Sequence, residues 1–183
     1  LQLLVDSSAE ADMVIMGEDV YKTDTFLEKL FSCDRKLVHA IKDLDPKTSV
    51  MLPRFYKKEL LISAFKNIPK DVLESVGGQD HAIIYYEACE LSKKVTLVPN
   101  LVKHIEPSKL IPMIKKFYRW GYTSVGARHN RYDVLFQEKE CFRKGLFKKG
   151  LFLESVASVL LLLIKGIPYK LGYYKKRLYE QGK

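Results

Sequence analysis

Apolar positions along the chain alternate between two spacings. Residues 3–5 and 13–16 are short unbroken apolar runs, and Val14-Ile15 beside Gly17 reads as a buried strand. Phe26, Leu27, Leu30, Phe31, Leu37 and Val38 then recur at helical spacing, which predicts a helix over 23–40 with Thr23 or Asp24 as N-cap. A polar turn over 43–49 contains Asp45-Pro46, and residues 50–55 read as a second strand with Pro53 near an edge or bend. Residues 57–65 predict a short helix, stopped by Asn67 and Pro69.

Gly77-Gly78 opens a tight turn, and residues 79–91 behind it read as helical. Residues 95–98 and 101–104 are two further short strands, separated by Pro99-Asn100. Pro107-Ser108 starts a helix running to about residue 118, with Pro112 as a kink or early-turn residue. Strands and helices alternate through residues 1–120, which predicts an α/β layer structure.

Beyond residue 121 the character changes. Residues 144–149 (KGLFKK) lead into Leu151-Phe152-Leu153 and then into 156–164, where only Ser158 is polar. Lys165-Gly166-Ile167-Pro168 is expected to close this run, and residues 169–179 mix Tyr and Leu with Lys170, Lys175, Lys176 and Arg177. At its purest the apolar stretch is about nine residues, well short of the ~18–20 needed to cross a bilayer. Such a segment is either a buried core helix or a helix lying in a membrane interface. In the second case Leu161 and Leu162 would face the membrane, Lys175 and Lys176 would sit at headgroup level, and Tyr169 would flank them at the interface.

Composition narrows the classes. Of 183 residues, 47% are hydrophobic and 29% charged, ordinary globular usage that excludes wholesale disorder. Cys33, Cys89 and Cys141 are odd in number and far apart, which argues against a disulfide framework or a CxxC zinc site and fits a reducing compartment. No charged leader with a small-residue cleavage site follows Leu1, and the missing Met leads us to expect a chain cut from a longer one. Residues 1–100 hold 13 Lys/Arg against 16 Asp/Glu, whereas residues 101–183 hold 18 against 6. A basic half of this kind suits nucleic acid, an anionic membrane surface or phosphorylated ligands.

A few residues stand out as candidate chemistry. Asp80 follows Gly77-Gly78-Gln79 at a helix start, where a carboxylate stays ionised. It would serve either as a general base or merely as the helix cap. His104 ends a strand, where ligands collect in open α/β sheets; it would bind metal or phosphate, or be a hydrogen-bonded structural residue. Arg119-Trp120 before Gly121 offers a guanidinium and an indole for a phosphate and a sugar ring, or a packed Trp with Arg at the helix end. Arg54 would be a phosphate contact or a salt-bridge partner. There is no P-loop, GxGxxG, GxSxG or HExxH.

Taken in order, residues 11–17 (ADMVIMG), residues 52–58 (LPRFYKK), Gly78-Gln79-Asp80, Lys103-His104 and Tyr118-Arg119-Trp120-Gly121 resemble the later part of family 2 glycosyltransferases of the GT-A fold. The resemblance covers about residues 1–121, and the segment from about residue 145 resembles the membrane-associated extension of archaeal and bacterial members. It implies a partial GT-A-like mixed sheet flanked by helices over 1–121, followed by a basic, apolar helical tail over 122–183. Asp80 would then be the base that deprotonates an acceptor hydroxyl in an inverting displacement, with Gln79 standing where Glu is usual. His104 would help hold a divalent metal, Mn or Mg, or the pyrophosphate. Arg54, Arg119 and Trp120 would line the donor–acceptor cleft.

The resemblance also implies a nucleotide-sugar donor, a lipid-linked or glycan acceptor, and a peripheral position on the cytoplasmic face of a membrane. The family's DXD element has no counterpart here, since residues 6–8 read Asp-Ser-Ser. The chain is thus expected to be the C-terminal, acceptor-side portion, without a competent donor site on its own. A homodimer would cover the edge of a truncated sheet. Two alternatives come from other classes: a basic nucleic-acid-binding module, disfavoured by the Leu/Val/Ile run that nucleic acid does not need, and a non-catalytic fragment or scaffold.

Overall fold

A computed structural model describes residues 9–75, 80–125, 131–135 and 145–182. The apolar run at 3–5, the residues at 6–8, Gly77-Gly78-Gln79, Cys141 and Lys144 lie outside them. The described chain is mixed α/β, a small three-stranded sheet flanked by helices and followed by a long apolar helix.

The sheet is ordered β2-β1-β3. Its central strand β1 (Met13–Val20) buries Met13, Val14 and Ile15 in succession, as a strand covered on both faces does. β2 (Phe55–Tyr56) pairs with it antiparallel and β3 (Val95–His104) pairs parallel. The second strand is thus far shorter than residues 50–55 would suggest. Pro53 has no N–H to donate, and the Ser49 hydroxyl accepts from the Met51 N–H and lies 2.7 Å from the carbonyls of Asp43 and Met51, to one of which it donates, which holds this segment in a turn rather than a ladder.

In contrast, the two strands expected at 95–98 and 101–104 form one continuous strand. Met16 pairs with Val98 and Glu18 with Val102, so Gly17 alone faces the bulge at Pro99-Asn100. Asn100 takes φ 53 there, and a Cβ on Gly17 would come within 2.8 Å of both the Asn100 nitrogen and the Pro99 Cα. Only glycine fits that approach.

Helix α1 (Phe26–Ile41) is capped by Thr25, not by Thr23 or Asp24. The Thr25 hydroxyl accepts from the Glu28 N–H while the Glu28 carboxylate accepts from the Thr25 N–H, a reciprocal capping box. Helices α2 (Lys58–Asn67) and α3 (Lys70–Ser75) follow, the latter unforeseen from the sequence. Helix α4 (Asp80–Leu91) is buried on most sides, with Ile83, Ile84, Tyr85, Ala88 and Cys89 in the core. It also buries Glu87, which accepts from Arg131 and from the Tyr132 hydroxyl at 2.8 Å each and so pins residues 131–135 to the helix.

Helix α5 (Leu110–Ser124) begins later and runs further than its sequence pattern indicates, so Arg119, Trp120 and Gly121 lie within it and Gly121 is not its cap. Helix α6 (Phe152–Gln181) continues for 30 residues through Pro168, where a stop was expected. It is long and apolar enough to cross a membrane by length and composition. Packing along both α1 and α5 offsets the hydrogen bond that Pro168 cannot make. Leu161, fully buried, joins Val20, Leu27, Leu30, Phe31 and Met113 in one apolar cluster that fastens α6 to the sheet and to both helices.

Candidate functional site

The parallel strands β1 and β3 end side by side, Val20 opposite His104. Beyond strand ends of this kind the backbone polar groups are free of the sheet ladder, and a crevice forms between the flanking helices. Here that crevice is a cleft of about 590 Å³. Its walls come from β1, α1, the turn before β2, the start of α4, the end of β3, α5 and α6.

Four of the residues singled out from the sequence meet in it. Asp80 opens α4 and is half-buried at the cleft wall; Arg54, His104 and Trp120 line the same space. Arg119 does not: one position earlier on α5, it is exposed and turned away from the lining. Trp120 is fixed by an edge-on contact with Phe117 at 5.1 Å and by the Lys116 ammonium 4.7 Å from its ring centre.

A run of alternating charges, unforeseen from the sequence, orders the floor. Arg54 lies 3.2 Å from Glu18 Oε1, and Glu18 Oε2 lies 2.7 Å from Arg35. Arg35 reaches on to Glu106 Oε1 at 2.8 Å, and His104 Nδ1 stands 3.3 Å from the same oxygen, without hydrogen-bond alignment. Burial pulls the Arg35 guanidinium down, but the hydrogen bond to Glu106 and the charges of Glu18, Glu106 and Asp34 outweigh it and raise it above its ordinary value. Burial and the neighbouring Arg35 charge hold the His39 imidazole below its usual value. A sequence signal existed for part of this: Glu106 sits two residues past His104, on the same emerging loop.

Helix α6 contributes Lys165. Its ammonium lies 3.8 Å from Asp34 Oδ2, 4.5 Å from the Phe31 ring centre and 5.9 Å from that of Phe117, while Ser158 donates to Asp34 Oδ1 at 2.5 Å. The cleft is therefore bounded on one side by the apolar helix. Of the residues expected to face a membrane, Leu161 is instead fully buried in the core, because it points from α6 toward α1 and α5. Leu162 and Tyr169 are half-buried, Lys175 is exposed, and Lys176 is half-buried beside Glu180 at 3.1 Å.

The cleft offers a half-buried carboxylate, Asp80, at its wall, several cations suited to phosphate oxygens, and an indole suited to a sugar ring. Its donor set does not suit a resident metal. Among the described residues no three His, Cys, Asp or Glu side chains gather as a ligand group, and the carboxylates beside His104 are engaged by Arg35 and Arg54. Comparison with protein-family models, with curated proteins and with solved structures finds no match to this chain.

Proposed function

We propose that this chain forms the acceptor-side cleft of a family 2-like glycosyltransferase of the GT-A fold, working at a membrane surface. The observation that carries the reading is the convergence of Asp80, Arg54, His104 and Trp120, from four separate parts of the chain, on one cleft. In this reading Asp80 accepts the proton of an acceptor hydroxyl as that oxygen attacks the anomeric carbon of the donor. The bond to the nucleoside diphosphate breaks on the opposite face, so the anomeric configuration inverts. Arg54 and Lys116 face the phosphate charge, and Trp120 packs against a sugar. The described residues supply no ligand set for Mn or Mg, and His104, at the cleft wall, faces the phosphate.

The basic C-terminal region and the apolar α6 favour a lipid-linked acceptor and a peripheral position on the cytoplasmic face over a nucleic-acid partner. The test is sugar transfer from UDP-, GDP- or dTDP-sugars to a membrane lipid extract by this protein. Asp80→Asn is expected to lower turnover by about 10²–10⁴. Unchanged turnover would remove Asp80 as base, and absence of transfer by the unaltered protein would remove the glycosyltransferase reading.

A further inference from the structure

A surface helix of a water-soluble protein turns its large apolar residues inward and its polar residues outward. Helix α6 does the reverse. Its buried residues are Ser155, Ser158, Leu161, Pro168 and Gly172, only one of them a large apolar side chain. Outward it presents Val156, Leu160, Leu163, Ile167, Leu171 and Leu178, which are 39–68% exposed. At the helical turn of 100° per residue these six fall on one stripe roughly 80° wide. Small residues inside and large apolar residues outside is the arrangement of a helix solvated by lipid on its outer side.

Charge decides between a bilayer and a second copy of this chain as the occupant. Exposed Lys170 and Arg177 lie along one edge of the stripe, exposed Lys175 along the other, and Lys149 just before its first turn. Two copies meeting on this stripe would bring these like charges together. An anionic lipid surface accepts both the apolar stripe and its basic rim.

The inner contacts decide between lying flat and crossing. A transverse α6 would lose the Ser158 and Lys165 contacts to Asp34 and would carry Lys165 and Lys170 into hydrocarbon. We propose that α6 docks flat in the interface of an anionic bilayer on its outer stripe, keeping its hold on α1 and α5. The cleft, which begins at Lys165 on the opposite side of α6, then stands about one helix diameter (~10 Å) above the apolar plane, at headgroup depth. This docking rests on the membrane part of the proposed function and not on the role of Asp80.

The test is flotation of the full chain with phosphatidylcholine vesicles, with and without phosphatidylserine. Binding to the anionic vesicles is expected to exceed binding to the neutral ones by about tenfold, and alkaline carbonate should release it. Leu163→Gln with Ile167→Gln, both at exposed positions, is expected to reduce partitioning about tenfold with unchanged circular dichroism. Ile62→Gln, on an exposed face of α2, should leave it unchanged. Lys170→Glu with Arg177→Glu provides an independent variant and should abolish the preference for phosphatidylserine. No flotation of the unaltered chain would overturn the docking together with the membrane reading, while the Asp80 assay stands separately. Flotation unaffected by the stripe substitutions would overturn the docking face alone. Retention through carbonate would overturn the flat orientation, and a lipid-free dimer lost in the stripe variant would assign the stripe to a second copy.

Discussion

A Cβ on Gly121 would stand 1.8 Å from the carbonyl oxygen of Tyr169, and one on Gly172 would stand 2.1 Å from that of Tyr118. Helices α5 and α6 therefore run antiparallel with their backbones in direct contact at two points. Gly121→Ala or Gly172→Ala forces the helices apart, since the obstacle is backbone and has no rotamer to change. Each is expected to cost about 1–3 kcal/mol in urea unfolding. Gly166→Ala is the counter-test: nothing lies within 4 Å of its would-be Cβ. That change should stabilise by about 0.5–1 kcal/mol through helix propensity. Equal effects at all three positions would refute the close crossing.

Arg35 joins two carboxylates, Glu18 on β1, which also meets Arg54 at its other oxygen, and Glu106 beyond β3. Arg35→Met leaves both acids in a largely buried site without their shared partner. The expected loss is about 3 kcal/mol by chemical denaturation, with Arg35→Lys recovering part of it because one ammonium cannot serve both acids at once. A loss below about 0.5 kcal/mol would mean that the charge run is a surface feature only.

Asp12 provides a pH signature. Its carboxylate accepts from Lys57 at 2.7 Å and from the Ser92 hydroxyl at 2.6 Å, tying the entry of β1 to the segments around β2 and after α4. The Lys57 and Ser92 hydrogen bonds, helped by the Lys57 and Lys94 charges and opposed by burial, hold its carboxyl below the ordinary aspartate value. A lowered carboxylate pKa contributes stability that is present above the unfolded value and lost as pH falls through the folded one. The stability gap between the native chain and Asp12→Asn should therefore be constant from about pH 5 to 8 and close below about pH 4. A gap independent of pH down to about pH 2 would show that Asp12 acts without its charge.

Local signals carried much of this architecture. The apolar run of β1, the apolar periodicity of α1 and the position of β3 all appear where the pattern of side chains puts them, and Asp80 does begin a helix. Thr23, Asp24 and Thr25 are all good caps, and the choice falls to Thr25 because only it has Glu three residues on. The failures are tertiary. Pro99-Asn100 reads as a break until Gly17 on another strand makes room for the bulge, and Pro168 reads as a stop until α1 and α5 support the helix on both sides of it. Glu18, Arg35 and Glu106 are ordinary charged residues in the sequence; 17 and 71 positions separate the partners of Arg35, and only the folded sheet brings them together.

Gly17 and the bulge opposite it also govern parity. Between Met16–Val98 and Glu18–Val102, β1 advances two residues while β3 advances four. Both counts are even, so the alternation of faces survives the mismatch and His104 still emerges on the side of Glu106 and the cleft. Deleting one residue from this bulge would leave an odd count. Every later side chain of β3 would exchange faces, bringing Ile105 to the position His104 holds. Along this strand, insertions and deletions are admissible in pairs, and the ladder tolerates length while it counts remainders.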